Sequence, residues 1–237
     1  MSDEEEEIIL STDNCSITKT DISTLNPHVY LNDLIISFYY EVLQKKYHSD
    51  LITLLDPAVS QSIILDVNDD EDNLKDLKNC IFIPLQLDKK KFIFAPVNDN
   101  TKLQYTCSGS HWTLNLVDVD NKVIYYLDSN LGDVSNAHTF HKKFEKLFGK
   151  KFEFIYALQN EKYQTNSYDC GMFLLGFSEV LMKHIVNNGL KIKNDGNKKK
   201  GLDFIFEGEN LVKQSYMATF RKNIIKLIYD MAKKAKK

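Results

Sequence analysis

Gln164-Thr165-Asn166-Ser167-Tyr168-Asp169-Cys170-Gly171-Met172-Phe173 is the stretch on which the reading of this chain turns. A cysteine followed at once by Gly171 and the apolar run Met172 to Leu175 predicts a thiol in the first turn of a buried helix. At that position unsatisfied backbone N–H groups and the helix dipole favour an anion, here a thiolate. Gln164 lies six residues upstream, within reach of an oxyanion formed beside the sulfur. Further upstream stand His111-Trp112 and Asp128, so the order along the chain is His, Asp, Gln, Cys.

The segments His111 to Val119 and Lys122 to Asp128 read as the clearest hairpin, joined at Asp120-Asn121. A two-residue turn would set Val119 against Lys122 and Thr113 opposite Asp128. His111 is then a diagonal neighbour of Asp128 on one face, with backbones roughly 7–8 Å apart, a gap that side chains bridge. A four-residue loop centred on the same point keeps this parity, whereas a three-residue loop would separate the two residues onto opposite faces.

Around this centre, Asn32 or Asp33 caps a largely buried helix running through Leu34 to Leu43. A short helix includes Val59 to Leu65, and acidic Asp66 to Asp72 reads as a loop before Leu74 to Leu77. Cys80 to Leu85 and Lys91 to Val97 are strand-like runs. Asn98-Asp99-Asn100 is turn chemistry, and the polar stretch on to Ser110 reads as an exposed loop. A helix from Ala137 to Phe148, a strand from Phe152 to Tyr156 and the apolar helix from Cys170 to about Ile185 follow. Asn187 to Asn210 reads as a long flexible insertion, and Leu211 to Ala232 as an amphipathic segment packed back on the domain. The expectation is an acidic disordered tail over residues 1–20 and a single domain over 21–237.

Composition permits this reading. The chain has 237 residues, 43% hydrophobic and 11% aromatic, enough for one sizeable core. A net charge of −3 carries no nucleic-acid signal. Cys15, Cys80, Cys107 and Cys170 form no C-x-x-C pair, which argues against zinc and against a disulfide framework. Neither a secretory leader nor an apolar run of about 18 residues stands out, so an intracellular, reducing compartment without membrane attachment is expected.

Acyl transfer by a thiol requires a thiolate, a base, a group that orients the base, and donors for the tetrahedral oxyanion. Cys170, His111, Asp128 and Gln164 fill those roles in that order, and no metal or cofactor is called for. Taken singly, each residue has a duller explanation. A cysteine heading a helix is usually a small buried hydrophobe. His111 beside Trp112 fits a half-buried strand histidine, and Asp128 fits a turn residue. The hairpin register and the spacing from Gln164 to Cys170-Gly171 raise the set above its members. Cys107 is expected exposed and Cys80 buried, neither with a histidine or a helix start nearby. His138, His141 and His184 fall on helices and read as surface or interface residues.

The chain resembles the sentrin-specific, or ubiquitin-like-protein-specific, cysteine proteases. The resemblance runs from Tyr30-Leu31-Asn32-Asp33 through His111-Trp112 and Asp128-Ser129 to Asp169-Cys170-Gly171-Met172. Ala95 to Asn100 and Gln164 to Met172 look most like the deneddylase branch, the sentrin-specific protease eight type, which acts on the cullin-modifying protein Nedd-eight. The resemblance implies a papain-like α+β fold with a central mixed sheet, a buried catalytic helix and a narrow substrate channel. It also implies hydrolysis after the Gly-Gly end of a Nedd-type modifier, from precursors and from lysine conjugates such as cullins. His111, Asp128 and Cys170 match the family triad and Gln164 its oxyanion residue. Trp112 matches the lid over the diglycine tail, and Asp33 an acidic residue that meets an arginine of the modifier. Asn98, Asp99 and Asn100 are expected to line the path of that tail.

Tyr30 departs from the tryptophan usual in the family, and the insertion from Asn187 to Asn210 is longer than its pattern. A monomer in the cytoplasm or nucleus is expected. A SUMO-specific protease, a non-hydrolytic binder of ubiquitin-like tails, and an acyltransferase on the same scaffold stay open at this point.

Overall fold

The structure, a computed structural model, describes residues 7–65, 71–101, 109–158, 162–192 and 201–235. In chain order it contains β1 (Ile8–Ser11), β2 (Ser16–Thr18), α1 (Lys19–Ser23), α2 (Asp33–Tyr47), β3 (Ile52–Leu54), α3 (Pro57–Leu65) and α4 (Glu71–Leu77). Then come β4 (Phe92–Asn98), β5 (Trp112–Asp118), β6 (Val123–Leu127), α5 (Ser135–Phe148), β7 (Glu153–Tyr156), α6 (Cys170–Asn187), α7 (Asp203–Phe206) and α8 (Met217–Ala235).

The central sheet runs β3-β4-β5-β6-β7 and is mixed: its two outer pairs are parallel and its two inner pairs antiparallel. Helices cover both faces, which is why β4 and β6 are apolar at nearly every position instead of alternating. Phe92 and Phe94 face one core, shared with α2, α6 and α8, while Ile93, Ala95 and Val97 face the other, shared with α3 and α5. Helix α6 is buried almost all round, as its uninterrupted apolar sequence requires. The architecture is α+β, as expected.

The hairpin has the expected parity. Leu114 pairs with Leu127 and Asp118 with Val123, leaving a four-residue connection, Val119 to Lys122. Asp118 closes it by accepting from the Asn121 N–H at 3.0 Å, and Lys122 takes a left-handed φ of 56°. Asn32 caps α2, its Oδ1 accepting from Ile35 N at 3.2 Å.

Three expectations need correction. Residues 8–20 are not tail: Leu10 and Ile17 are buried in the core beside α8, and Thr18 with Asp21 forms a capping box at α1. Residues 1–6 lie outside the described residues. Second, Cys80 to Leu85 is not a strand, because α4 continues through a π-turn, Lys78–Phe82, that ends before Pro84. Leu74, Leu77 and Ile81 recur at helical spacing and reach the second core, leaving Cys80 exposed where burial was expected. A short apolar run cannot by itself separate the two periods. Third, the ends of the supposed insertion are anchored: α6 runs on to Asn187, and Ile192, Leu202, Ile205 and Phe206 are buried in the first core. Residues 193–200, Asp66 to Asp70, and residues 102–108 with Cys107 lie outside the described residues.

Candidate active site

Cys170 is the first residue of α6 and only 1% exposed. Its sulfur lies 4.0 Å from the Ser110 carbonyl, on the segment that leads into β5. The next residue must be glycine for steric reasons: a Cβ at Gly171 would stand 2.7 Å from Leu31 Cβ and 3.4 Å from Trp112 Cδ1. The Trp112 ring is held by its Nε1 donating to the Leu31 carbonyl at 3.0 Å. The wall from Leu31 and Trp112 therefore closes directly over the backbone beside the thiol.

His111 immediately precedes β5 and Asp128 immediately follows β6, as the register requires. His111 Nε2 bonds Asp128 Oδ1 at 2.8 Å, and the imidazole interacts electrostatically with the Cys170 side chain. With Nε2 taken by the carboxylate, Nδ1 is the nitrogen left for sulfur. Asp128 accepts three more bonds, from Asn130 N at 2.8 Å, Gly132 N at 2.6 Å and Tyr126 Oη at 3.1 Å.

Burial works against charge on both members of the pair, and their mutual attraction overrides it. Desolvation pulls the His111 imidazolium down, but the bond to Asp128 and the interaction with Cys170 raise its pKa from 6.5 to about 10. Desolvation likewise pushes Asp128 up, yet the bonds from His111, Asn130 and Gly132 bring it below its ordinary 3.8. An imidazolium held between carboxylate and sulfur is the protonation state in which a thiolate is stable.

Gln164 is fully buried near this centre. Its Oε1 accepts from Ser129 Oγ at 2.8 Å and its Nε2 donates to the Asn166 carbonyl at 2.8 Å. Asn166 also organises the turn before the thiol, its Oδ1 accepting from Tyr168 N and Asp169 N.

The substrate-side candidates divide. Asp33 is exposed at the start of α2, where its Oδ1 accepts a local bond from Leu34 N at 3.0 Å. Tyr30 is 46% exposed on the approach to Trp112. Of Asn98 and Asp99, expected along the path of the tail, Asn98 is buried and Asp99 half-buried, and both bond the segment that leads into β5. Asn98 Nδ2 donates to the His111 carbonyl at 3.2 Å, and the Asp99 carboxylate accepts from Ser110 N, Ser110 Oγ and His111 N. These two side chains hold the backbone that carries the imidazole. The Asn100 carbonyl is fixed by Gln61 and Asn136.

Sequence reasoning overlooked Tyr126 and Arg221. Burial first, then the neighbouring Asp128 carboxylate, keep the Tyr126 phenol protonated and able to donate. The i, i+2 relation of Tyr126 to Asp128 on one strand face was the available signal.

Arg221 sits on α8, 3% exposed, and forks onto Asp169 Oδ1 through Nε at 3.0 Å and Nη2 at 2.8 Å. Its remaining donors reach the carbonyls of Thr24, Asn26, Val29 and Tyr168. It thus ties the residue before Cys170 to the segment leading to Leu31. It is the only arginine in a chain of twenty-nine lysines, a signal visible in the sequence. Lysine could not replace it, because a point charge on a flexible stem cannot serve five directed acceptors. Arg221→Met is expected to cost about 3–5 kcal/mol by stranding the buried Asp169 carboxylate. Urea denaturation measures this, and a loss under about 1 kcal/mol would contradict the structural role.

The sequence pattern of the Ulp1 protease family, C-terminal catalytic domain, matches residues 29–234. The chain belongs to that family. This Ulp1-family protein is therefore a cysteine peptidase, and the matched region contains every residue of the site described above. It is 31% identical to sentrin-specific protease 8 of Homo sapiens over 184 residues, 75% of this chain and 82% of that one. It is 27% identical to NEDD8-specific protease 1 of Arabidopsis thaliana over 188 residues, 79% of this chain and 80% of the relative. Among solved structures, the fold is similar to the C-terminal Ulp1 protease domain crystallised with SMT3, the yeast ortholog of SUMO. The TM-score is 0.66 at 22% identity, covering 96% of this chain and 89% of the other. Family membership makes the peptidase acting on ubiquitin-like modifiers the coarse description of this chain.

Proposed function

We propose that this protease is a deneddylase, hydrolysing the peptide or isopeptide bond after the C-terminal Gly-Gly of a Nedd-type modifier. The observation that carries the chemistry is the 2.8 Å His111–Asp128 bond beside a thiol at the start of a buried helix. The Cys170 thiolate attacks the carbonyl carbon of the terminal glycine. Gln164 Nε2 and the Cys170 backbone N–H donate to the oxyanion that forms. His111 gives its proton to the departing lysine amine as the C–N bond breaks. Water, deprotonated by the same imidazole, then cleaves the thioester, releasing the modifier's carboxyl end and regenerating the Cys170 thiolate beside the His111 imidazolium. Asp128 keeps the imidazole in one tautomer and orientation throughout.

Trp112 and Leu31 pack against Gly171 beside the thiol, a placement that supports Trp112 as a lid over a glycine at the reacting end. Asp33, exposed at the rim, would pair with a basic residue of the modifier. Asn98, Asp99 and Asn100 would border the path of the tail as a loop held rigid beside His111. The relatives named for NEDD8 support the Nedd-type choice. On this reading the cellular substrates include cullin conjugates, handled by a monomer in the cytoplasm or nucleus.

Vinyl sulfone probes carrying Nedd-eight, SUMO or ubiquitin test the specificity. Labelling of Cys170 by the Nedd-eight probe is expected, with weak labelling by ubiquitin. A Nedd-type tail has alanine where ubiquitin has arginine, and an unpaired arginine forced into the channel would cost several kcal/mol. Changing that alanine to arginine should lower kcat/KM about 10³-fold or more. Equal kcat/KM on both modifiers, or preference for SUMO, would reject the deneddylase assignment and leave the peptidase standing.

A further inference from the structure

Gln164 Oε1 receives a 2.8 Å hydrogen bond from the Ser129 hydroxyl, and the Gln164 backbone N–H returns a 2.8 Å bond to the Ser129 carbonyl. Both residues are buried, at 1% and 0% exposure. A carboxamide can adopt two orientations half a turn apart, which exchange its oxygen and its N–H₂ group. In the orientation observed, Nε2 faces Asn166, 2.8 Å from its carbonyl and 3.3 Å from its Oδ1.

We propose that Ser129 is a positioning residue for the hydrolysis, and that its hydroxyl locks the Gln164 carboxamide with Nε2 aimed at the oxyanion. The inference rests on the oxyanion role given to Gln164 above. The 2.8 Å bond to the Asn166 carbonyl takes one Nε2 hydrogen, and the second, in only a long 3.3 Å contact with Asn166 Oδ1, is the one that turns to the developing negative charge. Turning the amide over would set Oε1 against the Asn166 carbonyl, acceptor against acceptor. Removing the Ser129 hydroxyl would strand Oε1 in a dry site, where an unmet acceptor drives the carboxamide to reorient. The dipeptide Asp128-Ser129, at the end of β6, then aims both halves of the site. Asp128 orients the imidazole and Ser129 orients the oxyanion donor.

The test is a double-mutant cycle of Ser129→Ala and Gln164→Ala, read as kcat and KM on a cleavable modifier fusion. Gln164→Ala should lower kcat by roughly 10²–10³ with a smaller change in KM. Ser129→Ala should lower kcat about tenfold with KM within about twofold, and the double variant should be no slower than Gln164→Ala alone. Ser129→Cys, of similar volume and weaker as a donor, should fall between wild type and Ser129→Ala, and it carries the test if the alanine variant folds poorly. A wild-type kcat in both serine variants, or a Ser129 loss that adds in full to that of Gln164→Ala, overturns the positioning role. A harmless Gln164→Ala instead removes the oxyanion assignment, and the inference falls with it.

Discussion

Cys170→Ala is expected to abolish turnover, lowering kcat by roughly 10⁵–10⁶, as loss of the nucleophile does where triad members act as a unit. Affinity for the modifier should stay within about threefold. Cys170 is 1% exposed and offers a substrate little contact area, whereas on the proposed reading Leu31, Trp112 and the start of α2 would grip the tail. The measurement pairs single-turnover cleavage of a modifier fusion with an equilibrium titration of the same modifier. Activity near wild type would sink the nucleophile assignment. Cys107 would then be the next candidate, since Cys80 lies on the exposed side of the π-turn and Cys15 is buried beside Thr12.

Asp128→Asn should lower kcat by roughly 10⁴, because the amide cannot hold an imidazolium and admits the wrong tautomer. The pH profile carries the more specific signature. In the wild type His111 remains protonated up to about pH 10, so activity should fall on the alkaline side only as pH approaches that value. In the variant the alkaline limb should move down toward the ordinary histidine value of 6.5.

The sign for stability follows from the same shifts. His111 has a folded pKa above its ordinary 6.5, so its contribution is complete below 6.5 and is lost as pH rises through about 10. Asp128 is shifted below 3.8, so its contribution is complete above 3.8 and is lost as pH falls through the lower folded value. The stability gap between wild type and Asp128→Asn should therefore be widest between pH 3.8 and 6.5 and narrow on either side. Urea titrations across pH measure it, and a gap independent of pH would dissociate the pair from stability.

The parts of this protein that were legible before its structure share a physical property: their signal is local. Hairpin parity depends only on the spacing between His111 and Asp128 and on an even connection, so the 2.8 Å pair followed from the period of a strand. The buried helix behind Cys170 followed from a run with no polar face, and the start of α2 from Asn32, whose side chain needs only a backbone N–H three residues on. Where the sequence failed, two elements far apart in the chain had to meet. Cys80 to Leu85 was ambiguous until α3 and α5 supplied the core that accepts Leu74, Leu77 and Ile81 at helical spacing. Residues 8–20 looked like an extension of the acidic tail because their apolar side chains find partners on α2 and α8, elements further along the chain.

The sequence by itself determined the chemistry: which residues could act, their order, and the strand face that unites base and acid. Tertiary structure alone decided what holds them. Arg221 reaches from the last helix to Asp169 and to the carbonyls of the 24–29 segment, and Asp99 grips the Ser110-His111 backbone. Ser129 meets Gln164 across thirty-five positions. Such bonds link buried polar groups that are distant in the chain. No periodicity encodes them; each partner becomes known only when folding removes water and leaves a donor facing an acceptor.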